Sequence, residues 1–311
     1  MSRAAASVAC LMVTRGRVDE AIASIGYYAA QDHPVRSLVV VADGEPHGSA
    51  LERYIRDHDV PAARVVAVPE GSRSLGALRN LSVSLAQADY VCQWDDDDLY
   101  HPRRLSAQLD GLRRMPGAAA CFMGDQLQFF VSSASVYWCD WTRPRAVSRW
   151  PRVIPNTLLC ERTSMPAYPE HGPLSSRSED LYVMNELVSR RAAVCLRGRA
   201  PLYVYVSHGT NTCDARHHRR IPRLTGLAAA ELRAKHAALS ATLPFLLPAG
   251  TIVRSFDDEA VFRLQDNGEL VDARDSVDRS QRRLGETVRD RPLEAGAPDT
   301  SRNSRGRERP V

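Results

Sequence analysis

The sequence predicts an α/β protein built on a mostly parallel sheet with helices on both faces. Three observations predict it. Short apolar runs rich in β-branched residues recur through the first hundred residues. Those runs are continuous rather than alternating, the pattern of strands buried on both faces. Between them lie longer segments with helical periodicity, so the unit is strand, helix, strand.

The first strand is read at SVACLMVT (7–14), the second at SLVVVAD (37–43), the third at RVVAVP (64–69) and the fourth at DYVCQW (89–94). Helices are expected near 17–31, 48–58 and 74–88, the last with Leu75, Leu78, Leu81 and Leu85 at three- and four-residue steps. Pro102 opens a further helix, RRLSAQLDGLRRM, which Pro116 and Gly117 end. From residue 118 come longer strand-like runs, AACFMGDQLQFFVSSASVYW, then a proline-punctuated loop and a strand near NTLLCER. A Gly/Pro/Ser stretch leads to a helix from Glu179 and a strand at LYVYVS (202–207). A helix over 222–241 and a small β meander follow, with Asn267-Gly268 as the hairpin turn. From Ala273 to Val311 the apolar residues give way to Arg, Asp, Ser, Pro and Gly, the composition of a disordered tail. The predicted organisation is a catalytic unit over 1–221, an accessory helix and β-hairpin over 222–272, and a tail over 273–311.

Composition excludes several classes. A 311-residue chain with 44% hydrophobic and 25% charged residues is not fibrous, collagen-like or a disulfide scaffold. Its net charge of +4 is too mild for a dedicated nucleic-acid binder, so no specific nucleic acid is expected as a partner. Lys235 is the only lysine, an arginine skew that is chain-wide. Seven scattered cysteines with no C-x-x-C pair, several inside apolar runs, read as free thiols of a reducing, cytoplasmic compartment rather than a zinc ribbon. No apolar stretch approaches the ~18–20 residues of a membrane span.

The chemistry concentrates after the fourth strand. Asp95, Asp96, Asp97 and Asp98 stand at the C-terminal end of a buried strand, where parallel sheets place their ligand crevice. Four adjacent carboxylates repel one another unless a hard divalent cation or a hydrogen-bonding ligand offsets the repulsion. Capping or a solvated turn explains one or two of them, not four. In an extended segment Asp95 and Asp97 point the same way and converge on one site. A second acidic pair, Glu179 and Asp180, opens a helix, where Ser176 and Glu179 also match a capping box. As a functional pair it supplies a carboxylate to take a proton from an attacking hydroxyl. His208, in SHGTNT, is either polar surface or a ligand for a manganese-like ion, with His217 and His218 as competitors. Arg79 and Asn80 lie on a helix, and Asp43 either contacts a ribose or base or begins a turn. Trp138, Trp141 and Trp150 make either a sugar-stacking surface or ordinary packing.

Taken together, MVTRGR, VVVADG, SLGALRNLSVSLAQADYVCQWDDDDLYHPRRL, SEDL and YVSHGTNT give the chain a resemblance to the family 2 glycosyltransferases of GT-A fold. The resemblance covers residues 7–215. The third segment is the most specific, joining G-x-x-R-N, an apolar strand, an aspartate cluster and a proline-led helix in order. The resemblance implies a nucleoside-diphosphate-sugar donor and an inverting transfer to the hydroxyl of a sugar, glycolipid or other acceptor. Its cofactor would be Mn2+ or Mg2+, held at Asp95, Asp97 and His208. Asp180 would be the catalytic base. Thr14, Asp43, Arg79, Asn80, Asp95, Asp96 and Glu179 would line the nucleotide-sugar pocket. The chain departs from the family pattern at Arg15-Gly16, where an aromatic-Asn pair is usual, and at Gly44-Glu45-Pro46, where an acidic-serine string is usual. With no span, a lipid-linked acceptor would be met at the membrane surface.

Two alternatives compete. A sugar-phosphate nucleotidyltransferase needs a glycine-rich basic loop after the first strand and usually a lysine, and this chain offers Thr14-Arg15-Gly16-Arg17. The other is a non-catalytic nucleotide-sugar or carbohydrate-binding protein on the same scaffold.

Overall fold

The computed structural model describes residues 5–144 and 151–274. Trp150 and the tail from residue 275 lie outside the described residues. The first third runs β1 (Val8–Thr14), α1 (Val18–Ala29), β2 (Arg36–Asp43), α2 (Glu45–Asp57), β3 (Ala63–Val68), α3 (Leu75–Leu85) and β4 (Tyr90–Gln93). β1 shows why these strands read as unbroken apolar runs. Its Val8, Cys10 and Met12 join one hydrophobic cluster and its Ala9 and Leu11 another, so both faces of the strand are buried.

Beyond β4 come β5 (Leu99–Tyr100), α4 (Arg104–Arg113), β6 (Ala120–Met123), β7 (Asp125–Phe130), β8 (Ser135–Asp140), β9 (Leu159–Glu161), α5 (Glu179–Ser189), β10 (Ala193–Leu196) and β11 (Tyr203–Ser207). Then follow α6 (Ala215–Thr225), the short α7 (Ala229–Arg233), α8 (His236–Ser240) and α9 (Leu243–Leu246), and β12 (Ile252–Arg254), β13 (Ala260–Leu264) and β14 (Leu270–Asp272). The first sheet has the order β10-β6-β9-β4-β1-β2-β3 and is parallel except for β9. The second has the order β14-β13-β12-β8-β7-β11-β5 and mixes both directions.

The chain changes sheets at Gly124, between β6 and β7. A Cβ there would lie 2.6 Å from Cys195 Sγ and 2.7 Å from Thr142 Cγ2, so the crossing needs a residue without one. Asp125 then pins the joint. Its carboxylate accepts the Trp138 indole N–H at 3.1 Å and the Arg199 amide at 3.0 Å.

The single helix expected over 222–241 is broken into the end of α6, α7 and α8. Pro222 sits in the last turn of α6 instead of opening a helix. Lacking an N–H, it leaves the His218 carbonyl without its helical donor, and the Gln128 side-chain amide donates to that carbonyl at 3.2 Å. Gly226 then turns extended and ends the helix. The meander strands β12–β14 extend the second sheet through β12, which pairs in parallel with β8. Trp138 packs in the core under that sheet. Among the described residues no helix is long and apolar enough to cross a membrane, and all seven cysteines are free thiols.

Candidate active site

β4 lies in the middle of the first sheet, and its C-terminal end delivers Trp94 and then the four aspartates. Beneath this loop the fully buried Arg104 guanidinium lies 5.2 Å from the Trp94 ring centroid, 4.7 Å from Tyr100 and 5.4 Å from Tyr203. It donates to the Gln93 carbonyl at 3.0 Å. This cation among aromatic rings fixes the root of the acidic loop.

The loop itself turns at Asp96–Asp97. Strict alternation therefore does not hold, and Asp95 and Asp97 take different partners. Asp95 accepts from Arg79 Nη2 at 3.1 Å and from the Gln93 amide at 3.3 Å. Asp96 and Asp97 share Arg17, which reaches Asp96 Oδ1 at 2.7 Å and Asp97 Oδ2 at 2.5 Å. Asp97 Oδ2 also lies 2.9 Å from His208 Nε2. Burial and the neighbouring Asp97 push the Asp96 carboxyl up to about 7, against the pull of Arg17. Hydrogen bonding to His208 and the charge of Arg17 outweigh burial at Asp97 and hold its carboxyl below the usual range.

Asp98 turns away from this network and ties the loop to β11. Its carboxylate accepts the Tyr203 hydroxyl at 2.5 Å and the Val206 amide at 2.9 Å, wholly out of solvent. Because β11 ends at Ser207, this tether also sets where His208 stands relative to Asp97. Asp98→Ala is expected to destabilise the fold by roughly 1–3 kcal/mol for each donor left buried and unpaired, seen as a lower urea midpoint. An unchanged midpoint would remove this role.

The second acidic pair faces the first. α5 starts at Glu179 after Ser178, whose φ of 67° lies in the left-handed region, and no side-chain cap forms. The capping-box alternative for Glu179 is thus not what the side chain does. Glu179 accepts from Arg79 Nε at 2.9 Å, so Arg79 bridges Asp95 on the β4 loop and Glu179 on α5. Asp180 Oδ1 accepts the Leu181 amide at 2.7 Å. Burial, then the charge of Glu179, pushes the Asp180 carboxyl up to about 7 despite Arg79.

A cavity of about 360 Å3 joins these groups. Arg79, Asp95, Asp96, Asp97, Glu179 and Asp180 all line it, together with Arg17 and Asp98. Trp141, Ile154, Arg177 and Cys213 line it as well, along with His217 and Ile221 from α6. His208 reaches the site through its contact with Asp97. Its ring is braced by Thr210 Oγ1 at 2.8 Å, and Asn211 Oδ1 accepts its main-chain amide at 3.0 Å. His218 is buried against the Tyr205 hydroxyl at 3.1 Å, and burial lowers it to about 4.

The remaining predicted residues stand off the cavity wall. Thr14 is buried at the end of β1. Asp43 is fully buried, pairs with Arg15 and accepts the Gly71 amide at 2.8 Å. Asn80 braces the main chain of Tyr168, accepting its amide at 2.8 Å and donating to its carbonyl at 2.9 Å. Sequence reasoning missed Arg17, Asn211 and Arg177 as site residues. Arg17 had one available signal, its place with Arg15 in a short basic loop after a central strand.

No group of three or more His, Cys, Asp or Glu side chains poised to hold a metal occurs among the described residues. Of the three predicted ligands, Asp97 and His208 meet, whereas Asp95 turns to Arg79 and Gln93. The facing donor atoms of Asp97 and His208, 2.9 Å apart, share a hydrogen bond that a hard divalent ion would have to replace. Such ions keep several positions for water and substrate phosphate, so a two-donor protein site suits them.

No family model matches the chain. It is 26% identical over 145 residues to WcaA of Escherichia coli (strain K12), a protein named as a colanic acid biosynthesis glycosyl transferase. That match covers 47% of this chain and 49% of WcaA, so the chain matches about half the length of this relative. Among solved structures it is similar to S. aureus TarS residues 1–349, with a TM-score of 0.50 and 15% identity over 77% of this chain and 74% of that one. The same TarS fragment in complex with UDP-GlcNAc gives a TM-score of 0.52 and 15% identity over 70% and 64%. These likenesses show a GT-A fold.

Proposed function

We propose that this GT-A chain is a glycosyltransferase that moves a sugar from a nucleoside-diphosphate-sugar to an acceptor hydroxyl with inversion, assisted by a divalent cation. The observation that carries the reading is one cavity walled by Asp95–Asp97 on one side and by Glu179 and Asp180 on the other. One acidic element serves the donor and the other serves the acceptor. The named activity of WcaA and the UDP-GlcNAc bound to TarS support the same reading.

Asp97 and His208 would hold Mn2+ or Mg2+, and such an ion offsets the charge that builds on a departing diphosphate. Arg17 and Arg79 add fixed positive charge beside the same carboxylates. Asp180, with Oδ1 occupied by the Leu181 amide, keeps Oδ2 to take the acceptor proton. Its pKa near 7 matches a base that works at neutral pH. Arg79 holds Glu179, the residue before Asp180, and so positions the base. The acceptor oxygen then forms a bond to the anomeric carbon as the bond to the diphosphate oxygen breaks. That single displacement inverts the centre.

The test is a panel of nucleotide-sugars incubated with the protein and Mn2+ or Mg2+, with and without EDTA, read as release of nucleoside diphosphate. Metal-dependent release from one donor is expected. Turnover of none of them would sink the reading.

A further inference from the structure

Five glutamines are buried among the described residues: Gln31, Gln93, Gln108, Gln126 and Gln128. The fold supplies a donor to four of their side-chain oxygens. Gln31 Oε1 accepts the Leu105 amide at 3.2 Å, Gln93 Oε1 the Tyr168 hydroxyl at 3.4 Å and Gln108 Oε1 the Arg104 Nε–H at 3.2 Å. Gln128 Oε1 takes the weak donor Cys139 Sγ at 3.9 Å, and its amide donates to Ser207 Oγ at 3.1 Å. Gln126 is the exception. The residue is 1% exposed, and its Oε1 has no hydrogen-bond partner among the described residues. Burying an unpaired carbonyl costs stability, a cost the fold avoids at the other four. The glutamine that bears it is one that lines the cavity.

Its place in the second sheet says which part of the cavity it serves. Gln126 of β7 stands opposite Cys139 of β8, and the Trp141 main-chain amide continues that antiparallel ladder by donating to the Gly124 carbonyl at 2.8 Å. Two-residue alternation puts Gln126 and Trp141 on one face of the sheet. Both line the cavity, as do Ile154 and Ile221, and all four are buried. Arg177 and His217 line the same cavity and are exposed. The exposed pair marks the mouth and the buried four the closed end.

In a single displacement the acceptor enters after the donor and leaves as product through the mouth, so the closed end falls to the sugar being transferred. Its four lining side chains carry no charge, and a sugar carboxylate placed there would be buried without a partner. A primary amide offers an acceptor and a donor about a soft last torsion. A hydroxyl can answer either one, whereas an ionised carboxylate only accepts. We propose that Gln126 is a specificity-determining residue that reads a hydroxyl of the transferred sugar, and that this sugar is neutral. The inference rests on the transferase reading, because it takes the cavity to hold a nucleoside-diphosphate-sugar.

The test uses UDP-GlcNAc, UDP-glucose, UDP-galactose, GDP-mannose and UDP-glucuronate, each with the full chain and Mn2+, read as release of nucleoside diphosphate. The accepted donor is then compared with its monodeoxy analogues. The variant is Gln126→Met, which keeps the length of the side chain and removes the amide. Urea midpoints without ligand and calorimetric affinity for the nucleoside diphosphate are measured for both proteins.

Wild-type protein is expected to prefer a neutral donor to UDP-glucuronate by at least tenfold in kcat/KM, and to lose at least tenfold on one monodeoxy analogue. Gln126→Met is expected to lose at least tenfold on the parent donor and to treat it and that analogue alike. Its nucleoside diphosphate affinity should stay within twofold. Its urea midpoint should hold or rise, because an unpaired carbonyl has been removed. A purely structural amide gives the opposite pattern, a lower midpoint with discrimination intact, and that result would overturn the inference. So would preference for UDP-glucuronate, or a wild-type protein indifferent to every monodeoxy analogue, an outcome that needs no variant at all. If donor turnover stands while Gln126→Met discriminates as wild type does, the role of Gln126 alone falls. If none of the donors is turned over, the transferase reading falls and takes this assignment with it.

Discussion

Asp180→Asn is expected to lower transfer by about 10²–10⁴-fold, the usual contribution of a positioned general base, while nucleotide binding stays near wild type. The split between rate and binding matters because Asp180 lies on α5, across the cavity from the loop that would hold the donor. The pH dependence sharpens the test. A base must be deprotonated to act, and burial raises this carboxyl to about 7. The wild-type rate should therefore climb with pH and level off above about 7. Since Arg79 lowers the carboxyl's pKa, Arg79→Gln should move that limb to higher pH. Stopped-assay rates from pH 5 to 9, beside isothermal titration of nucleotide, would check both. Wild-type-like turnover by the Asn variant would remove Asp180 as the base.

Asp97→Asn is expected to act on the other half of the reaction. Among the described residues Asp97 is the one carboxylate paired with both His208 and Arg17, so losing its charge uncouples the proposed cation site from the arginine beside it. A loss of about 10²–10³-fold in kcat/KM is expected, equivalent to roughly 3–4 kcal/mol of lost charge stabilisation. Mn2+ binding followed by electron paramagnetic resonance should weaken in parallel. His208→Ala should weaken it too, by less, because the carboxylate remains. Unchanged Mn2+ affinity in Asp97→Asn would refute the proposed ligand pair.

The parts of the fold that follow from local rules were legible. β1 to β4 fall where the apolar runs place them, because a strand buried on both faces leaves a continuous hydrophobic signature. The second sheet was not legible as a separate layer. Its strands come from four distant stretches, and the switch at Gly124 depends on contacts with Thr142 and Cys195 that no local window contains. The helix expected over 222–241 failed for a definable reason. Pro222 and Gly226 are stop signals, and Pro222 is tolerated inside α6 only because Gln128, ninety residues away, serves the freed carbonyl.

The candidate site divides in the same way. The aspartate tetrad and the Glu179–Asp180 pair were visible as charge clusters at strand and helix ends, and the fold brings them to one cavity. The pairing inside the tetrad was not visible, since it depends on a turn at Asp96–Asp97 rather than on strand alternation. Arg17 meets these aspartates across about eighty residues of sequence, and Arg15 meets Asp43 across 28. In one dimension both arginines are only basic residues after a strand.

Those two arginines change what occupancy of this pocket means energetically. Arg17 on Asp96 and Asp97 at the cavity, and Arg15 on Asp43 off its wall, leave these three acids already matched by cations of the same chain. On the proposed reading a donor and its metal would arrive by exchange, displacing the Arg17 guanidinium from carboxylates that it already satisfies. The affinity measured for such a ligand is the difference between two sets of ion pairs, and it will be weaker than a count of the new contacts suggests. A freed Arg17 guanidinium would then be a positive charge beside the incoming diphosphate, so the group that opposes entry would also favour retention.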